Sequence, residues 1–233
     1  MNNRILITLA FLLSFIGSIT TLLAQDNASR EVIVRVACIG FSKDLHELSS
    51  ADGKVVVPLS IRYPSKPLKL RVIGKKLRLY DPANLPTEDK PAQPAATVEL
   101  PSTGKKFIVL LLPNKKNKIA YDGVAIVQSD FHYGGICIYN ATHVPIMMTV
   151  DKKKQPVIQP AQPSIVNFNL NGKNRVAEVQ FWAPKMKKFF YSAKWNFRPD
   201  IREIHMLYIH PRTKRPAIKT LVDVKPAVPA GTP

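Results

Sequence analysis

The chain has few of the residues from which catalytic and metal sites are built. Its 233 residues include only 2 cysteines and 5 histidines, and 16 acidic residues stand against 34 basic ones. It contains no HExxH pattern, no CxxC pair and no clustered carboxylate loop, so no standard metal site is predicted. The GxSxG pattern of serine hydrolases is missing too, and no two carboxylates form an evident acid and base pair. The sequence therefore predicts no catalytic residue, no metal and no cofactor.

Positive charge far exceeds negative charge, and the formal net charge is +18 at pH 7. Much of it lies in short clusters beside turn residues, such as Lys75-Lys76, Lys105-Lys106, Lys115-Lys116, Lys152-Lys153-Lys154 and Lys187-Lys188. Two interpretations stay open. The clusters are loop tips that keep a β protein soluble, or they form a surface that binds acidic polysaccharide or other acidic envelope components.

The N-terminus has the layout of a secretory signal peptide. A short start with Arg4 precedes an apolar run over residues 5–16, and Ala24 is a small residue at which a signal peptidase would cut. We predict a signal peptide over residues 1–24 and export to the periplasm, the outer-envelope surface or the medium. A retained N-terminal membrane anchor is the alternative, because residues 5–23 are nearly long enough to span a bilayer. For an exported protein, nucleic acid is not an expected partner.

Apolar and polar residues alternate with period two along much of the chain. Leu68, Leu70 and Val72, for example, alternate with lysine and arginine, which is typical of strands with one buried face. Residues 107–112 are apolar throughout, which indicates a strand covered on both faces. The 20 prolines leave little room for long helices. We predict an all-β protein, an antiparallel β-sandwich built as one domain or as two packed β units.

The pattern also suggests how the chain is divided. A β-rich globular region is expected over residues 30–223. Residues 81–96 are rich in proline and alanine and show no period, so they form either a long loop or a linker between two β units. Residues 224–233 contain proline, alanine and glycine with little to bury, and a disordered tail is expected there.

The two cysteines, Cys38 and Cys137, both lie in apolar stretches that resemble strands. In an oxidising compartment they could form a disulfide, which would close a long loop and contribute about 3–5 kcal/mol. Two separate buried thiols would leave the same pattern in the sequence. The separation of their Cα atoms decides between these alternatives.

One aromatic hairpin suggests a ligand contact. Pairing Phe181 with Phe189 aligns the apolar rows of two neighbouring strands. This register places Trp182 and Phe190 on the polar face, with Trp182 opposite Lys188. These three residues are the candidate contact for a carbohydrate, although ordinary packing and a tryptophan–lysine cation–π pair explain the pattern as well.

Several stretches carry a resemblance to known proteins. They are the strand at residues 107–112, the run Gly-Gly-Ile-Cys-Ile-Tyr-Asn-Ala-Thr at residues 134–142 leading into residues 145–150, and Phe-Tyr-Ser-Ala-Lys-Trp at residues 190–195 followed by residues 207–211. In these features the chain resembles small periplasmic or secreted β-sandwich proteins of Gram-negative bacteria that have no assigned activity. The resemblance implies a β fold and export, and it supplies no catalytic residues.

From these observations we expect a non-catalytic module of a bacterial envelope or secretome with a structural or interaction role. A carbohydrate-binding or polyanion-binding protein is the first alternative. An enzyme of unrecognised class is the second, and it would need a pocket in which polar groups converge.

Overall fold

The computed structural model describes residues 29–41, 45–114, 121–184, 189–210 and 212–226, and strands dominate these ranges. Their helical content is one turn of 3-10 helix, Gln128–Asp130. No helix within these ranges is long and apolar enough to cross a membrane. The predicted all-β class is confirmed. The predictions for residues 1–24 and 5–23 fall outside the described ranges.

Strands of the first half close into a barrel. Its members are β1 (Ser29–Cys38), β4 (Leu68–Ile73), β5 (Lys76–Leu79), β6 (Ala96–Glu99), β7 (Lys106–Pro113) and β8 (Tyr121–Val127). Around the barrel they follow the order β1-β4-β5-β6-β8-β7, and β7 pairs with β1 to close it. Two short strands, β2 (Glu47–Ser49) and β3 (Val56–Pro58), pair with each other.

Apolar side chains at alternate positions along the strands fill the interior of the barrel. The inward positions of β1 and β4 are apolar and buried, as Val34 and Leu70 illustrate. In β7, Phe107, Val109 and Leu111 point into the barrel core, while Ile108 and Leu110 belong to a separate buried cluster outside it. This confirms the prediction that residues 107–112 form a strand covered on both faces, except that Leu112 is only half-buried.

The second half forms two four-stranded sheets. Its strands are β9 (Ile136–Asn140), β10 (Met147–Val150), β11 (Lys153–Lys154), β12 (Pro163–Val166), β13 (Arg175–Trp182), β14 (Tyr191–Phe197), β15 (Ile201–Ile209) and β16 (Pro216–Val224). One sheet has the order β11-β10-β13-β14 and the other β12-β9-β15-β16. They share a core to which the first sheet contributes Met148, Val179 and Phe181 and the second Ile138 and Leu207.

An all-antiparallel sandwich is therefore not the architecture of the whole chain. The first half is a closed barrel, and the pairs β1–β7, β6–β8 and β9–β15 run parallel. Period-two alternation is the same in parallel and antiparallel strands, so the sequence pattern could not distinguish them. Residues 81–96 run from β5 to β6, which pair with each other in the barrel, so this segment is a loop within one unit. Val224 still belongs to β16, and residues 227–233 lie outside the described ranges.

The predicted register of the aromatic hairpin was wrong by two residues. Phe181 pairs with Tyr191, and Ala177 pairs with Trp195. A shift of two residues keeps each side chain within β13 and β14 on its predicted face, whereas a shift of one would have reversed every face. Phe189 and Phe190, which precede β14, do not lie on the predicted faces. The hydrophobic pattern therefore fixed the faces of β13 and β14 but left the register open.

The barrel and the second unit, which comprises the two sheets formed by β9–β16, meet through a third buried cluster. The barrel contributes residues from the outer side of β1, β7 and β8, including Ala37, Ile108 and Ile126. Strands β9, β15 and β16 contribute residues that include Ile204 and Leu221. The sheet β12-β9-β15-β16 is thus covered on both faces, which explains why β9 is buried at every position.

A buried ion-pair network crosses this interface. Asp223 of β16 accepts hydrogen bonds at 2.8 Å from Arg202 Nε of β15 and from Arg35 Nη1 of β1. The side chains of Arg202 and Asp223 are only 2% and 1% exposed. Arg202 also donates to the carbonyl oxygen of Phe131 at 2.5 Å and lies over the rings of Phe131 and Tyr133. One carboxylate thus joins the barrel to the second unit and neutralises buried positive charge.

Replacing that carboxylate should strongly destabilise the protein. In Asp223→Asn, two guanidinium groups lose the one carboxylate that pairs with them among the described residues, and we expect a loss of about 3–5 kcal/mol in the free energy of unfolding. Urea denaturation followed by circular dichroism measures the change. Asp200→Asn is the matched control, because its pair with Arg198 is 45–47% exposed and a solvent-exposed ion pair contributes little to stability. Equal small losses in both variants would contradict the assigned role of Asp223.

Candidate functional site

The structure places Trp182 and Phe190, two of the three residues of the predicted aromatic contact, on different sides of their sheet. Trp182 lies on the outer face of its sheet, and its ring meets Phe189 edge-on with centroids 5.3 Å apart. Phe189 is 51% exposed. Phe190, which was expected beside Trp182, instead packs on the core and stacks on Phe181. Lys188 lies outside the described ranges. The exposed partner of Trp182 is therefore Phe189, because the alternation of faces is interrupted before β14.

The two cysteines are free thiols in different parts of the molecule. Cys38 lies in the barrel core and Cys137 lies in the cluster between barrel and second unit. The sequence left open a disulfide or two separate buried thiols, and the structure has the two separate buried thiols. Burial raises the pKa of Cys38 to about 11 and that of Cys137 to about 12. Neither thiol is suited to act as a nucleophile near neutral pH.

His205 has surroundings that the sequence pattern did not indicate. Its Nδ1 lies 2.9 Å from Thr220 Oγ1, and its Nε2 lies 3.1 Å from Glu203 Oε2 without good hydrogen-bond geometry. The ring is buried and stacks on Trp195 with centroids 4.1 Å apart. The order carboxylate, imidazole, hydroxyl resembles a proton relay, but the imidazole is only 3% exposed, so a substrate would have little access to it. The contacts of His205 are those of a histidine that packs at the edge of a core.

Positive charge is concentrated on one outer face of the barrel. Strands β4 and β5 are neighbours, and their inward residues fill the barrel core. Their alternate residues point outwards, and the charged ones among them are all exposed. We define the basic barrel face by exposed cations on β4, on the turn after it and on β5 and β7: Lys69, Arg71, Lys75, Lys76, Arg78 and Lys106.

Strand pairing brings these cations together. Lys69 and Lys106 flank Ile33 on opposite sides, because β1 pairs with both β4 and β7. The pairing of Ile73 with Lys76 places Arg71 and Arg78 on the same side of adjacent strands. The spacing is about 6.5–7 Å between alternate residues on a strand and about 4.8 Å between neighbouring strands.

Two carboxylates on this surface neutralise it only in part. Glu31 lies 3.7 Å from Lys69 Nζ, and both side chains are highly exposed. Glu99 is the cross-strand neighbour of Lys76. Arg71, Lys75, Arg78 and Lys106 form no ion pair with any described residue under a 4 Å distance limit. The face therefore keeps a net positive charge that is open to solvent.

Comparison with known protein families and with curated proteins finds no match to this chain. Within the described residues no group of three or more histidine, cysteine, aspartate or glutamate side chains could hold a metal ion.

The lysine pairs were recognised in the sequence, but their convergence was not. Lys75-Lys76 lie at the turn between β4 and β5, and Lys106 begins β7. The fold brings these two segments to the same end of the barrel. The alternation in β4 and β5 already placed Arg71 and Arg78 on exposed faces. The missing information was which strands are neighbours, because β4 and β7 both lie beside β1 only in the closed barrel.

Burial of both cysteines predicts slow thiol chemistry in the native protein. At pH 8 less than about 1% of either thiol is ionised when its pKa is near 11 or 12. We expect Ellman's reagent to label no thiol within minutes in the folded protein and both thiols after denaturation. Rapid native labelling, or no labelling after denaturation without reductant, would contradict the assignment of two buried free thiols.

Proposed function

We propose that the chain is an exported, non-catalytic β module of a bacterial envelope or secretome that binds acidic polysaccharide through its basic barrel face. The single observation behind this proposal is the set of exposed cations on β4, β5 and β7, most of which form no ion pair with a described residue. Export is inferred from the secretory layout of residues 1–24. The unit formed by β9–β16, with two sheets around one core, is the sandwich-like part of the molecule and supports the barrel from one side.

The arrangement of charge favours a binding surface over a solubilising one. Arg71 and Arg78 face the same side of adjacent strands, and like charges at such positions reduce stability. Glu31, the neighbour of Arg71 on β1, offsets only part of this repulsion. Solubility is served equally well by charges of both signs that are dispersed over the surface. A bound polyanion would offset this repulsion, because its acidic groups would lie between the cations.

A polysaccharide fits this face better than a membrane does. Ile73, which is 55% exposed, is the one large apolar residue among the outward positions of β4 and β5. Protein surfaces that bind membranes normally combine cations with several apolar or aromatic residues that enter the lipid–water interface. A linear polymer with repeated carboxylate or sulfate groups needs only the cations, and it can follow them along and across the strands.

Removal of two central arginines should weaken this binding. For Arg71→Gln/Arg78→Gln we expect about tenfold lower affinity for dextran sulfate or alginate at low salt, equivalent to about 1.4 kcal/mol. The slope of log affinity against log salt should fall by about 1–2, because fewer counterions are released. Titration calorimetry over a series of salt concentrations measures both quantities.

The matched control is Arg212→Gln/Arg215→Gln, which removes the same charge from an exposed turn in the second unit. It should leave affinity and salt slope nearly unchanged. Neutral dextran should not bind through the basic barrel face. Equal effects of both double variants would show that net charge alone is responsible, and tighter binding to phosphatidylglycerol vesicles than to either polymer would favour a membrane ligand.

A further inference from the structure

A groove in the second unit lies apart from the basic barrel face. It has a volume of about 560 Å³, and its walls are two loops, one before β9 and one before β13. Its lining includes His132 and Tyr133 from the first loop, Phe168, Asn169 and Asn171 from the second, and Pro199. This volume falls within the range of small-molecule sites, about 300–1,000 Å³.

The two loops are held together by specific contacts. Asn167 accepts a hydrogen bond from the backbone N–H of His132 at 3.0 Å and donates one to the carbonyl of Asp130 at 2.8 Å. Gly135 allows this approach, because a Cβ there would lie 2.5 Å from Asn167 Oδ1. Gly134, with φ near +91°, donates its N–H to Ile201 at 2.7 Å. The groove is therefore preformed by the fold.

Hydrogen-bonding groups in the groove have spare capacity. The ring of His132, the hydroxyl of Tyr133 and the side-chain amide of Asn171 form no hydrogen bond with any described residue. Asn169 uses its oxygen to accept from the N–H of Asn171 at 3.3 Å, and its NH₂ group has no partner in the described chain. These groups supply donors and acceptors together, which is what a ligand with several hydroxyl groups requires.

Aromatic surface accompanies these polar groups. The guanidinium of Arg202 lies over one face of the Tyr133 ring at 4.5 Å, and the half-buried ring lines the groove. A ligand would therefore contact the opposite face of the ring. Phe168 is packed between Phe197 and Arg175. No Asp, Glu, Lys or Arg of the described chain lines the groove. The surface thus combines an aromatic ring with uncharged hydrogen-bonding groups.

We infer that this groove binds a neutral sugar, one or two pyranose rings of an oligosaccharide. The C–H face of a pyranose would pack on the face of Tyr133 opposite Arg202, and its hydroxyl groups would form hydrogen bonds with His132, Asn169 and Asn171. An acidic ligand gains no cationic partner among the lining residues. The groove is a second site, and its existence does not depend on the basic barrel face.

An array of neutral di- to hexasaccharides built from glucose, galactose, mannose and N-acetylhexosamines tests this inference. Binding is measured in about 0.5 M NaCl, where screening within a few Å suppresses the basic barrel face. At least one oligosaccharide should bind, and titration calorimetry with it should show little dependence on salt. Absence of binding across the array would overturn the inference.

His132→Ala/Asn171→Gly is the informative variant. Glycine tolerates the left-handed backbone of Asn171, which has φ near 46°, and His132 is exposed, so both changes should preserve the fold. We expect about tenfold weaker sugar binding, since two hydrogen-bonding groups are lost. His143→Ala/Asn174→Gly removes the same two residue types from exposed positions outside the groove and should bind normally. Equal binding by both double variants would contradict the assigned groove.

The two sites can fail independently. Arg71→Gln/Arg78→Gln should retain neutral sugar binding at high salt, and His132→Ala/Asn171→Gly should retain dextran sulfate binding at low salt. If one variant abolished both activities while circular dichroism showed a native spectrum, the separation of the sites would be wrong.

Discussion

The carboxylate of Asp223 is the interaction on which the arrangement of the two units depends. It lies between Arg202 of the second unit and Arg35 of the barrel, where both charges of its ion pair with Arg202 are shielded from water. Buried charges are costly unless they are paired, so Arg35 and Arg202 can be buried at this interface only where the Asp223 carboxylate meets them. The apolar cluster between the two units buries most of their contact surface. The ion pairs restrict the orientations in which the units can pack.

The ion-pair network of Asp223 also affects the groove and the basic barrel face. Arg202 covers one face of Tyr133 and donates to Phe131, so the network that joins the units also fixes one wall of the groove. Arg35 belongs to β1, the strand beside which Lys69 and Lys106 lie. Some of the same strands therefore support both the interface between the units and the candidate binding surfaces. A substitution in the ion-pair network would change stability and binding together, so it is not a clean test of binding.

Much of the fold could be predicted from local pattern. Alternation gave the strand class and the faces of β4, β5, β13 and β14, and the apolar run at residues 107–112 marked a strand between two cores. Barrel closure could not be predicted, because parallel pairing of β1 with β7 leaves no local signal. The two-residue error in the aromatic hairpin has the same origin, since either register satisfies the alternation.

Candidate sites were harder to predict, because they depend on which loops and strands become neighbours. The four asparagines at positions 167, 169, 171 and 174 are a visible signal of an amide-rich loop, but nothing in the sequence placed that loop beside Tyr133. Arg202 occupies a polar position on β15, which usually indicates an exposed residue. It is buried because the barrel covers that face of the sheet.

Hydrogen exchange with and without dextran sulfate, analysed by mass spectrometry, tests the central claim most directly. The account predicts added protection in peptides that cover residues 68–79 and 105–106, with little change in residues 210–216. Protection that is concentrated on the second unit, or spread evenly over all basic segments, would contradict the assignment of the basic barrel face as the polyanion-binding surface.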